Sequence, residues 1–192
     1  KFRLHELNSI LGGMLILPAT AEVIAAFIAA AESAPEELST IANIMPAPPM
    51  PFITPEMRGK MILMATLVYA GNEEEGQRAV APFRALATPL ADMLHPMRYS
   101  EMYPPEGDAM HPKMISNTLF LDRVDREVGR KIIEYLEASD APMRSAQLRV
   151  LGGAVARIPA DATAFAHRQS RILVNMSTFF SSPEEIPMRK VW

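Results

Sequence analysis

The chain has 192 residues, 49% hydrophobic and 21% charged, with a formal net charge of −3 and no cysteine. That length suits one domain or one plus a fragment, and folding would bury roughly 70% of the unfolded surface, enough for a real core. The composition excludes a disordered chain, gives no electrostatic case for nucleic acid or an anionic membrane, and rules out disulfides, thiolate nucleophiles and cysteine-bound metal or flavin.

Taken in order, Lys1–His5 reads as strand, so the numbering is expected to start inside a longer polypeptide. Gly13–Leu17 is a short apolar strand stopped by Pro18. Thr20 then caps a helix over Ala21–Ser33, with Val23, Ile24, Phe27 and Ile28 on one stripe and Glu22 near its positive end. The same region, Gly12–Ala31, is the most apolar of the chain, but Pro18, Thr20 and Glu22 interrupt the ~20 apolar residues of a membrane span. Leu38–Met45 reads as strand and runs into Pro46, Pro48, Pro49, Pro51 and Pro55, which exclude helix interior and central strand.

Lys60–Tyr69 is the clearest buried strand. Asn72 followed by Glu73–Glu75 starts a helix whose inner face is Ala79, Val80, Phe83 and Leu86, with Pro82 expected to kink or divide it. Residues 96–114 read as a long proline-containing loop. Strands follow at Ile115–Leu121, Arg144–Leu151 and Arg171–Phe179, with a helix capped by Asp125 after the first of them. Ser182-Pro183 opens a last helix. This irregular alternation predicts an α+β fold, a largely antiparallel sheet with helices packed on one face and the other face bare.

Period-two geometry places Gln147 and Arg149 on one side of their strand and Leu148 and Val150 on the other; Asn175 and Ser177 oppose Val174 and Met176 in the same way. Asn43 and Asn117 also lie in otherwise apolar strands. The pattern alone reads as a solvated sheet face; a polar wall turned to a ligand is the functional alternative. Gly152-Gly153, like Gly12-Gly13, lacks the third glycine of a dinucleotide fingerprint and reads as a bulge or a close backbone approach, not as the start of a helix. His5, His95, His111 and His167 are isolated and form no metal spacing. His167 reads as a residue holding a turn through hydrogen bonds. No nucleophile elbow or phosphate loop is present, and the 14 Met read as adaptable core filler.

The run QLRVLGGAVARIPADATAFAHR (Gln147–Arg168) resembles the substrate-domain signature of FAD-linked oxidases, the vanillyl-alcohol oxidase and berberine-bridge-enzyme group. Phe2–His5 is similar to the last strand of that group's flavin domain, Leu11–Thr20 to the beginning of its substrate domain, and Ala81–Met93 to an internal helix and its exit. The resemblance implies residues 1–10 as the end of an FAD-binding domain and 11–192 as a substrate-binding domain truncated at its C-terminal end. It puts Gln147 at a position that faces the flavin, and Arg149 where some sugar oxidases carry an Asp paired with a catalytic tyrosine. It also implies Gly152 and Gly153 beside the flavin ring or substrate. Asn175, on the neighbouring strand, and Tyr99 and Tyr103, on the long loop as a substrate cover, are the further substrate-binding candidates.

The expected function is therefore the substrate-binding portion of an FAD-dependent oxidoreductase acting on a small alcohol, sugar or alkaloid-like molecule. FAD would be bound mainly by a domain outside this chain, and the segment alone would be inactive. The alternative is a non-catalytic α+β module that binds a small molecule or dimerises. Expected partners are the substrate, the FAD-binding domain of the same polypeptide and, through the open sheet face, a second copy; no nucleic acid, membrane or metal is expected, and the default location is cytoplasmic.

Overall fold

The computed structural model describes residues 7, 9–103, 113–180 and 182–189; the Phe2–His5 window, His111 and the prolines between 104 and 112 lie outside them. Eight strands form one sheet: β1 (Ile10–Pro18), β2 (Leu38–Pro46), β3 (Met61–Tyr69), β4 (Ala91–Asp92), β5 (His95–Met97), β6 (Lys113–Leu121), β7 (Met143–Val150) and β8 (Ile172–Phe180). Their order is β4-β1-β3-β2-β7-β8-β6, with β5 also on β1, and every pair is antiparallel. The fold is α+β, as the sequence predicts.

Three longer helices are α1 (Ala21–Glu32), α2 (Glu73–Arg84) and α3 (Arg126–Ala138). Each starts where a side-chain oxygen accepts an otherwise unpaired backbone N–H: Thr20 from Val23 at 3.2 Å, Asn72 from Glu75 at 2.9 Å, Asp125 from Val128 at 3.0 Å. Short helices α4 (Gly153–Arg157) and α5 (Ile186–Arg189) follow, the second after a capping box at Ser182 and Glu185. Pro82 neither divides α2 nor ends it. It lies in the last turn, where its missing N–H removes a single bond near a helix end. Within the expected loop at 96–114, β5 pairs with β1 and Tyr99–Met102 forms a 3₁₀ turn.

All three longer helices pack on one sheet face. Their stripes of Val23, Ile24, Phe27, Ile28, Val80, Phe83, Ile132 and Leu136 close over Leu15, Leu17, Ala42, Leu63, Leu67, Leu148 and Val174. Phe27 and Phe83 meet edge to face at 5.0 Å between centroids. The helix layer is tight: a Cβ on Gly129 of α3 would lie 2.8 Å from the Ala21 carbonyl oxygen of α1.

The second face is not uniformly bare. The proline-rich segment after β2 folds back across β1 and β3, and Ala47 and Ile53 bury Ile16 and Ile62. Met45, Met50, Met57, Met64 and Met93 fill the gaps, the role the sequence assigns to thioethers. Gly13 makes the close backbone approach expected of a glycine pair. Its φ is +135°, and an added Cβ would stand 2.2 Å from the Met93 carbonyl oxygen. Over β7, β8 and β6 no helix among the described residues covers the polar face. Among the described residues no helix is long and apolar enough to cross a membrane.

Candidate functional site

Antiparallel register converts four separate strand positions into one row. Asn43 of β2 faces Gln147 of β7, Gln147 faces Asn175 of β8, and Asn175 faces Thr118 of β6. The side chains are bonded along that row. Gln147 Nε2 donates to Asn43 Oδ1 at 2.9 Å, and Asn175 Nδ2 donates to Thr118 Oγ1 at 2.9 Å. Ser177 Oγ donates to Asn175 Oδ1. Arg149, two residues along β7, donates through Nε to Gln147 Oε1 at 2.9 Å.

That last bond sets the direction of the others. A guanidinium can only donate, so the Gln147 oxygen is held toward Arg149 and its amide nitrogen toward Asn43. The Asn43 oxygen then accepts, and Asn43 Nδ2 donates to no described residue. The amide oxygens of Asn43, Gln147 and Asn175 each accept one bond within the row. Together with Met114, Ser145, Leu173 and Phe179 these residues line a depression of about 380 Å3 with no Asp, Glu or His among the described residues that line it. The helices lie on the opposite side of the sheet, so Gln147 and Arg149 are not packed beneath them.

Gln147, Arg149 and Asn175 are thus brought together. Asn43, Thr118 and Ser177 join them without a role having been assigned from sequence; only the polar residue in each apolar strand signals them. Asn117 belongs elsewhere. Its register partner is Met176, and it lines an apolar groove of about 320 Å3 between β6, β8 and α3 on the helix side.

Tyr99 and Tyr103 are not at this depression. Their hydroxyls meet at 3.0 Å, beside the turn whose Met102 sulfur approaches Gly12 of β1. Three strand spacings, about 14 Å, separate β1 from β7. The hydrogen bond with Tyr99 raises the Tyr103 phenol above its ordinary pKa, which disfavours a phenolate base there. Gly152 and Gly153 line a different cleft, with Glu32, Glu36, Ser39 and Arg157, at the end of β7. Contrary to the sequence reading, Gly153 does open a helix, the five-residue α4. A Cβ on Gly152 would meet nothing within 4 Å, so its lack of a side chain answers no contact among the described residues.

His167 does not act through a side-chain hydrogen bond. Its ring stacks on Phe120, centroids 3.8 Å apart and planes 13° apart. Arg168 lies over Phe165 at 5.2 Å and donates to Thr163 Oγ1 at 2.6 Å. This cluster fastens the segment after β7 to the polar face, because Phe120 is the register partner of Leu173 at the edge of the depression.

The molecule is therefore an α+β sheet domain with helices on one face and a donor-rich, ligand-sized depression on the other. No protein-family model matches the sequence, and no curated protein matches it either. Solved structures show where the fold occurs. A variant of BBE-like 1 from Physcomitrella patens matches with a TM-score of 0.78 at 13% identity, over 99% of this chain and 43% of that one. A glycopeptide hexose oxidase complexed with teicoplanin matches at 0.72 and 15%, over 97% and 40%. A variant of berberine bridge enzyme matches at 0.66 and 11%, over 96% and 38%. The fold is one found within berberine-bridge-enzyme-like proteins, and this chain spans about two fifths of their length.

Proposed function

We propose that the chain is the substrate-binding portion of an FAD-dependent oxidoreductase that oxidises a small organic molecule by hydride transfer to flavin. The observation that carries this reading is the donor row Asn43–Gln147–Asn175–Thr118 on the uncovered face of a fold shared with such oxidases. FAD, held mainly by a second domain of the same polypeptide, supplies the hydride acceptor. The donor set suits it: amide N–H groups of the row and a guanidinium with no acidic partner among the described residues complement the oxygen-bearing edge of a flavin ring or an oxygen on a substrate. Residues 11–192 form the substrate domain in this reading, and 1–10 the end of the flavin domain.

Gln147 orients the substrate or ring, fixed in one amide orientation by Arg149. Arg149 stabilises negative charge on a substrate oxygen, and Asn175 positions it from the adjacent strand. Among the described residues the lining includes no carboxylate or imidazole, and in this reading the proton acceptor is a group other than those residues. One observation favours the rival reading, a non-catalytic module that dimerises through this face. Met114, Phe179 and Met143 form a registered apolar row beside the polar one, and Met114 and Met143 are exposed.

The test is the polypeptide in which the chain is encoded, purified from its own gene. The oxidoreductase reading expects a yellow protein whose flavin is bleached by substrate, and Gln147→Ala should lower turnover with flavin retained. A colourless product, or unchanged turnover in Gln147→Ala, contradicts the reading or the assigned role, respectively.

A further inference from the structure

We propose that the depression recognises a carboxylate carried on an apolar body. The inference rests on the reading of this face as the substrate site and names the class of molecule that fits it. Arg149 has no acidic partner among the described residues, whereas Arg84 pairs with Asp92, Arg157 with Glu36 and Arg171 with Glu32. Its one bond runs from Nε to Gln147, which leaves the two terminal nitrogens of the guanidinium for a ligand.

Those nitrogens are the pair that meets a carboxylate side by side. The polarity imposed on the row adds to the match. The Gln147 and Asn43 oxygens accept within the network while Asn43 Nδ2 donates to no described residue, and an ionised carboxylate only accepts. With no Asp or Glu in the lining, an anion meets no opposing charge. Leu173, Met114 and Phe179 supply the apolar wall on which the rest of the ligand rests.

The experiment is a titration of this 192-residue chain with benzoate, and with benzamide as its neutral match, followed by ¹H–¹⁵N spectra that resolve the side-chain N–H groups of Asn43, Gln147 and Arg149. Benzoate is expected to shift these resonances saturably, and benzamide to bind about tenfold more weakly or worse, the weight of one charge-assisted pair. Arg149→Gln should reduce benzoate to the level of benzamide, while Arg149→Lys retains part of the preference. Unshifted backbone signals of Leu148 and Val174 confirm that the variants fold.

Equal affinity for the two probes, no binding of benzoate, or benzoate shifts confined to Arg157 and Arg171 would overturn the proposal. The flavin test separates the two layers of the argument. A colourless full polypeptide that still prefers benzoate at Arg149 keeps the carboxylate site and removes the oxidoreductase reading. A flavoprotein indifferent to the charge of the probe does the reverse.

Discussion

The imidazole of His167 lies flat on the ring of Phe120, centroids 3.8 Å apart, and joins a segment of irregular chain to the outermost strand of the sheet. Among the described residues the segment 151–171 is also tied by the Arg168 bonds to Val155 O and Thr163 and by the Arg157–Glu36 and Arg171–Glu32 ion pairs near its two ends. Stacked pairs of this kind contribute about 0.5–1.5 kcal/mol. His167→Ala should therefore speed hydrogen exchange and proteolytic cleavage between residues 151 and 171 while leaving protection of β3 unchanged. Equal cleavage rates in both proteins would show that the stack does not restrain the segment.

Neighbouring glycines in β1 should differ sharply. At Gly13 a methyl group collides with the Met93 backbone oxygen, and φ is +135°. Gly13→Ala should cost about 3 kcal/mol or more in denaturant unfolding. At Gly12 the nearest atoms are the ends of Ile10, Met102 and Met97, flexible side chains that can turn aside, so Gly12→Ala should cost about 1 kcal/mol or less. The reverse ranking would show that the β1–β4 approach is not as tight as described.

Thr178 is fully buried on the helix face of β8, and its hydroxyl has no partner among the described residues. Replacing it with the near-isosteric Val removes a desolvated polar atom. Thr178→Val is expected to raise stability by about 1 kcal/mol and the melting temperature by about 2–4 °C. A lower melting temperature would reveal a bonding role for the hydroxyl.

Asp125 couples α3 to acid. The Val128 N–H donated to its carboxylate holds the pKa below the usual value; desolvation opposes this, and Arg123 adds a lesser lowering contribution. Because the folded pKa lies below the unfolded one, this contribution is complete above the unfolded pKa near 4. It disappears as pH falls through the folded pKa. Asp125→Asn keeps a capping oxygen but not the titration. Its unfolding midpoint should match the wild type near neutrality and fall less steeply in acid; parallel acid curves would rule the linkage out.

Much of the fold is legible in the residues. Thr20, Asn72, Asp125 and Ser182 each announce a helix through chemistry that acts over three positions, and the apolar alternation of Leu63, Ala65 and Leu67 identifies a central strand. What resisted reading depends on distant neighbours. β4 and β5 are too short to carry a period and exist because β1 offers them an edge. Pro82 is tolerated because α2 ends two residues later. The cover over half of the second face comes from a proline-rich stretch whose burial follows from Ile16 and Ile62, not from its own composition. At the site, alternation identified Gln147, Arg149 and Asn175 as sharing one side, but no local signal specifies that Asn43 lies opposite Gln147. Tyr99 and Tyr103 join the candidates through the long loop that carries them, and the strand order takes them away from the row.

The sheet has a seam. β1, β3 and β2 arise from the first third of the chain and β7, β8 and β6 from the last part, and only the pairing of Ala42–Ile44 with Ala146–Leu148 joins them within the sheet. Asn43 and Gln147, bonded across it, stand 104 positions apart. Hairpins on either side can form locally, whereas closing so long a loop is entropically expensive and slow. The row Asn43–Gln147–Asn175 is therefore complete only once the two half-sheets are paired, so a substitution that slows that pairing is expected to slow its assembly.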